Sequence, residues 1–253
     1  MGIYDRDYYR KPVPRGGFAN FQIWSVTTWL IVINVAVFLL DRILVNAGIG
    51  WIGFGHIFGP LEYFGYFSVS TAIAGGEVWR FITFQFLHAS IGHLFWNMLA
   101  LYFFGPMIED YLQPRRYLAF YLICGCAGAV SDILLSAAGI LGDGPHVELI
   151  GASAGIFGVL IAAATVAPDM EITLLFPPIP IKLRVLAWIM IGISVYTVMS
   201  NGTNAGGEAA HLGGAVAGFA LIKNVHWLNV FVPGRKSSRR RMAFRDWSRD
   251  SDH

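Results

Sequence analysis

Apolar residues run in six long blocks along this chain, separated by polar, basic or glycine-rich joints. The blocks cover residues 24–44, 92–111, 117–140, 151–167, 183–199 and 208–222. A helix rises about 1.5 Å per residue and a hydrocarbon layer is ~30 Å thick, so blocks of this length read as spans. The pattern predicts an all-α polytopic membrane protein with a six-transmembrane-helix bundle. Residues 45–90 break the pattern: they are apolar, but many glycines and Pro60 interrupt them. Such a stretch does not span. Its aromatics, among them Trp51, Phe58, Tyr63 and Phe67, suit the headgroup level, so it is expected to form a long interfacial first outer loop with short helices.

Composition agrees with the pattern. Of 253 residues 55% are hydrophobic and only 13% are charged, too little polar surface for a soluble globule of this size. The net charge of +2 is small, and nothing in it points to nucleic acid; its distribution is the informative part. Arg6, Arg10, Lys11 and Arg15 precede the first block, Arg115 and Arg116 follow the second, Lys182 and Arg184 open the fifth, and residues 235–249 are the most basic of all. Residues 142–150 and 201–207 carry no Lys or Arg. With the basic joints inside, both termini are cytoplasmic and the number of spans is even. The basic tail is a topology signal that also suits anionic lipid. The chain then divides into a basic N-terminal segment (1–22), a membrane domain (23–224) and a basic C-terminal tail (225–253). The first segment lacks the short apolar core and cleavage site of a signal peptide. Cys124 and Cys126 lie too close on one helix for a disulfide and are read as small buried hydrophobes.

Polar side chains inside spans are costly and need a partner or a water-filled cavity. Ser153 stands in Leu149-Ile-Gly-Ala-Ser153-Ala-Gly155-Ile-Phe157-Gly158, about one turn inside a helix start, where unpaired amides and the helix dipole favour a developing oxyanion. Gly151 with Gly155 and Ala154 with Gly158 have the small-xxx-small spacing of close helix packing, which alone explains the stretch. His93 and Asn97, four apart, share a helical face. His211 is the only imidazole of the sixth block and sits among Gly213, Gly214 and Gly218; a lone histidine is readily a packing residue. Yet Ser153, His211, His93 and Asn97 all begin their blocks on the outer side and so share one depth. A nucleophile, a base and two hydrogen-bond donors at one depth suit acyl transfer. No aspartate accompanies His211, so a Ser-His dyad is expected, with Glu208 one turn earlier as an orienting alternative. His88 and His93 fall on different faces and no H-E-x-x-H occurs, so neither metal nor cofactor is expected. A transporter would need polar groups along a path through the bilayer, and Asp132 alone does not make one.

Taken together, Gly151-Ala-Ser153-Ala-Gly155, His93 with Asn97, Ala210-His211-Leu-Gly-Gly214 with Gly218, and Trp79-Arg80 resemble a rhomboid intramembrane serine protease over roughly residues 24–223. The resemblance implies a serine endopeptidase acting on transmembrane protein substrates within the lipid bilayer. It implies Ser153 as nucleophile, His211 as base, and His93, Asn97 and the Ser153 amide as the oxyanion site. Gly151, Phe157, Gly214 and Gly218 would support the site, with Phe157 packing beneath the histidine, and Glu109 would join a structural polar network. His88 and Gln85 would meet water approaching the site. The alternative is a catalytically inactive rhomboid-like protein that binds membrane helices. The six-span form without a transit peptide points to a bacterial cytoplasmic membrane.

Overall fold

The computed structural model describes residues 24–53, 56–142, 146–173 and 178–232. The basic N-terminal segment and most of the basic tail lie outside them. Eight α-helices and two short hairpins appear among the described residues. α1 (Val26–Asn46) is followed by a hairpin of β1 (Trp51–Gly53) and β2 (His56–Phe58), then α2 (Pro60–Gly65), a π turn (Ser70–Ala74), α3 (Arg80–Thr83) and a 3-10 turn (Phe84–Phe86). α4 (Ile91–Leu112), α5 (Pro114–Ala137) and α6 (Ser153–Val166) follow. A second hairpin, β3 (Glu171–Thr173) with β4 (Pro180–Lys182), leads into α7 (Leu183–Met199) and α8 (Ala205–Lys223).

Local chemistry sets several of the helix ends. Ser25 caps α1 by accepting from the Thr28 amide at 3.1 Å, and Ser90 caps α4 by accepting from the His93 amide at 3.1 Å. α4 meets α5 in a tight corner at Gln113, whose φ is 70°, and Pro114 at the first helical position needs no amide partner. The carboxylate of buried Glu109, near the end of α4, accepts from the Val26 amide at 2.7 Å, the Thr27 amide at 2.8 Å and the Thr27 hydroxyl at 2.7 Å. An anion thereby satisfies amides that α1 leaves unpaired and ties two helices separated by the whole first loop.

The core is built from α5, α6 and α8, which pack most extensively on one another, with α4 against α6 and α1 against α4. Ala154 to Ala163 form an unbroken buried run, so α6 meets protein on every side. Close approach depends on missing side chains. A Cβ on Gly128 of α5 would stand 2.6 Å from the Ala154 Cβ and 2.8 Å from the Ala210 carbonyl oxygen, so three helices converge at that level. A Cβ on Gly218 of α8 would stand 2.5 Å from the Gly158 Cα of α6. The outer surface is apolar instead: Phe95, Tyr102, Phe103, Trp188, Tyr196, Met199 and Val216 are all exposed. An apolar exterior around small buried residues is the arrangement of a helix bundle in lipid.

Among the described residues three helices, α1, α4 and α5, are long and apolar enough to cross a membrane. α6 and α7 are apolar but shorter, at 14 and 17 residues, and α8 has 19 residues but includes Glu208 and His211. At 1.5 Å per residue α6 is roughly 21 Å long. It begins at Ser153, not at Gly151 as expected, because Gly151 has φ 131°, a conformation that no helix includes. The first loop also departs from expectation. Besides short helices it contains the β1–β2 hairpin, and several of its aromatics, including Phe58, Phe67 and Phe84, are buried in protein.

Candidate active site

The segment leading to α6 is held from outside by the first loop. Phe67 and Leu149 exchange both backbone hydrogen bonds, at 3.0 and 2.7 Å, and the Gly151 amide donates to the Phe84 carbonyl at 2.9 Å. The loop itself is pinned by buried Arg80, which donates to the Tyr63 carbonyl at 3.1 Å and to the Tyr66 carbonyl, pairs with Glu77, and lies 4.6 Å from the Tyr66 ring centroid. Trp79 donates its indole N–H to the Phe64 carbonyl at 3.1 Å. The Trp79-Arg80 pair thus organises backbone and does not line the cavity described next.

α6 starts beside a cavity of about 380 Å³. Ser153 lines it together with Gly151, Phe157, His93, Asn97 and His211, so the structure brings residues from α4, α6 and α8 to one place. Ser153 and Phe157 are four apart on one face of α6. The His211 ring stacks on Phe157 with centroids 4.1 Å apart and planes only 13° from parallel, which sets the imidazole one turn from Ser153. On the other side His93 closes over Gly151. A Cβ there would stand 2.8 Å from His93 Nε2 and 3.6 Å from Ser153 Oγ, so both space and φ demand glycine. Asn97 is buried, and its Nδ2 donor has no acceptor among the described residues. The amides of the first turn of α6, Ser153 among them, likewise lack intrahelical acceptors, since the first α-helical bond runs from the Ile156 amide to the Ala152 carbonyl at 3.1 Å.

Gly214 and Gly218 carry no chemistry but let α8 reach α6: a Cβ on Gly214 would fall 2.0 Å from the Ala154 carbonyl oxygen. Glu208 is not among the residues that line the cavity but reaches His211, with Oε2 2.9 Å from Nδ1. The same oxygen accepts from the Ser194 hydroxyl of α7 at 2.5 Å. The i, i+3 spacing of Glu208 and His211 was visible in the sequence, whereas nothing there singled out Ser194. Leu186 and Met190 of α7 and Trp96 of α4 complete the apolar wall.

Two residues expected near incoming water lie elsewhere. Gln85 is buried against α5, donating to the Phe81 and Leu122 carbonyls at 2.9 and 3.3 Å, and is not a cavity residue. His88 is buried beside Asp41, Arg42 and Glu62 and packs edge-on against the His93 ring at 4.9 Å, backing that residue from behind. Burial pushes the His88 imidazole down to about 3, with His93 as the lesser cause, so it is neutral at physiological pH.

The family model described as Rhomboid domain matches residues 75–227, which include every residue of this cavity. The chain belongs to the rhomboid family. A relative from Bacillus subtilis (strain 168), "Rhomboid protease GluP", is 33% identical over 150 residues, covering 59% of this chain and 26% of its own. "RHOMBOID-like protein 12, mitochondrial" from Arabidopsis thaliana is 27% identical over 228 residues, 85% of this chain and 66% of its own. "Inactive RHOMBOID-like protein 8" from the same plant is 28% identical over 103 residues, 41% and 28% of the two chains. This rhomboid therefore spans between about a quarter and two thirds of the length of these relatives. Their names include a protease and an inactive member, and they come from a bacterium and from a plant, one of the plant proteins being named as mitochondrial. Kinship with them makes this rhomboid a multi-pass membrane protein without favouring a bacterial membrane over an organellar one.

Proposed function

We propose that this rhomboid is an intramembrane serine endopeptidase that cleaves transmembrane or membrane-proximal segments of other membrane proteins with a Ser153-His211 dyad. The observation that carries the reading is the parallel stacking of His211 on Phe157 one turn from Ser153, in a cavity that also holds the unpaired Asn97 donor. In the reaction Ser153 Oγ attacks the scissile carbonyl carbon as its proton passes to His211 Nε2. The carbonyl π electrons move to oxygen, and the oxyanion accepts from His93, Asn97 and the Ser153 amide. When the tetrahedral adduct collapses, the C–N bond breaks and His211 returns the proton to the leaving amine. Water, deprotonated by the same imidazole, then hydrolyses the acyl-enzyme and restores Ser153.

The proposed topology has six spans, α1 and α4 to α8, with both termini on the basic, cytoplasmic side. α6, at roughly 21 Å, is shorter than the ~30 Å hydrocarbon layer, so Ser153 lies below the outer surface and the cavity brings water down to it. The alternative reading, an inactive protein that binds membrane helices, has a named relative in its favour. Against it, this chain keeps serine and histidine in one cavity. Reconstitution with a membrane-protein substrate in vesicles separates the two. The protease reading expects wild-type cleavage, with none from folded Ser153→Ala or His211→Ala. Substrate binding without cleavage by wild-type protein supports the alternative.

A further inference from the structure

We infer that Glu208 is a positioning residue that holds His211 in the tautomer a general base needs, and that Ser194 of α7 fixes Glu208 for that task; the inference rests on the proposed roles of Ser153 and His211. Glu208 and His211 are three apart on α8, and Glu208 Oε2 is 2.9 Å from Nδ1. An ionised carboxylate only accepts, so the proton between them belongs to Nδ1, and Nε2 keeps the lone pair that takes the Ser153 proton. The carboxylate does not depend on His211 alone. Fully buried Ser194 donates to the same oxygen at 2.5 Å from a different helix, so its position survives rotation of the imidazole. His211 is therefore constrained on its face by the Phe157 ring and along its edge by Glu208. Once the imidazolium forms, Glu208 is the anion beside it.

The elements packed against α8 bring further groups to this region. α4 contributes His93, which lines the cavity, and α6 contributes Ser153 and Phe157, without charge. α5 contributes Asp132, whose Oδ1 would lie 3.1 Å from a Cβ on Gly206, more than one helical turn before His211. α7 contributes Ser194. Glu148 borders the neighbouring cavity, on the His93 side.

The test compares Glu208→Gln with Glu208→Ala in the reconstituted chain, together with the ¹⁵N resonances of the His211 ring. Gln is nearly isosteric and can still accept from Ser194, but its amide can also donate to Nδ1 and so place the ring proton on Nε2, where it blocks the base. We expect turnover to fall about 10²–10⁴-fold in Glu208→Gln, and less in Glu208→Ala, where the ring is free to choose its tautomer. NMR should show the Nδ1–H tautomer in wild-type protein and Nε2–H in Glu208→Gln. A purely structural Glu208 gives the opposite order, with Ala worse than Gln and the same ring tautomer in Glu208→Gln as in wild-type protein. The spectra decide the point even if wild-type protein cleaves nothing, the result that sinks the protease reading. An Nε2–H ring in folded wild-type protein overturns the inference by itself.

Discussion

A methyl group on Gly214 would stand 2.0 Å from the carbonyl oxygen of Ala154 and 2.8 Å from its carbon, against an ordinary contact of 3.4 Å or more. Both atoms are backbone in the first turn of α6, so no side chain can swing aside. α8 must retreat, and restoring 3.4 Å requires about 1.4 Å of separation at that level. Gly214 lies one turn after His211 and Ala154 directly follows Ser153, so the retreat falls between the proposed base and nucleophile. Overpacking of this kind costs roughly 1–3 kcal/mol of stability, whereas a displacement of ~1 Å between reacting groups can cost about 10²-fold in rate. We therefore expect Gly214→Ala to fold with a lowered unfolding midpoint and to lose about 10²-fold in turnover. The assay is initial cleavage rate in vesicles, normalised to the folded fraction. Gly192→Ala is the control, since it lies exposed on α7 with nothing within 4 Å of its would-be Cβ and should leave turnover unchanged. Wild-type turnover per folded molecule in Gly214→Ala would refute the claim that α6–α8 spacing sets the chemistry.

Three further expectations follow from the same contacts. His93→Ala and Asn97→Ala should each lower turnover by ~10²–10³ with little change in substrate affinity, read from kcat and KM in one reconstituted series; unchanged turnover in both folded variants removes them from the oxyanion site. Glu109→Gln exchanges an acceptor of three hydrogen bonds for a group that presents a donor to the start of α1, and should lower unfolding free energy on the order of 3 kcal/mol while surviving molecules keep their turnover. For His88, folding depresses the ring from an ordinary 6.5 to about 3, so below pH 6.5 the unfolded chain binds a proton that the native state refuses. Stability that is complete above pH 6.5 should then fall by roughly 1.4 kcal/mol per pH unit towards pH 3, and His88→Leu should flatten that slope in pH-dependent unfolding.

The helices were legible in the sequence to the extent that their ends are marked by local chemistry. α7 occupies residues 183–199 as expected, because basic residues and a Ser-Asn-Gly stretch bracket a clean apolar run. α6 was expected two residues too early, since a positive φ at Gly151 is a property of the folded approach to His93 and not of the residues around it. The β1–β2 hairpin was invisible because its strands are three residues long and lack an alternating pattern. Of the candidate site, Ser153, His211, His93 and Asn97, which share one cavity, were readable from the spacing of polar residues within their apolar blocks. Partners supplied by another segment were not. Thr27 as the seat of Glu109 and Ser194 as the second anchor of Glu208 depend on helix pairing, which spacing within one helix does not encode. Gln85 was misjudged for a related reason: a polar residue just before the oxyanion pair looks like a water contact, yet it turns towards carbonyls of α3 and α5.

The central claim is that Ser153 is a nucleophile activated by His211, and covalent labelling tests it without knowledge of any substrate. A fluorophosphonate probe applied to the reconstituted chain should form a one-to-one adduct that peptide mass spectrometry assigns to Ser153. Labelling should be absent in Ser153→Ala and strongly slowed in His211→Ala. A folded wild-type protein that takes up no probe at Ser153, or takes it up equally fast without His211, would contradict the account.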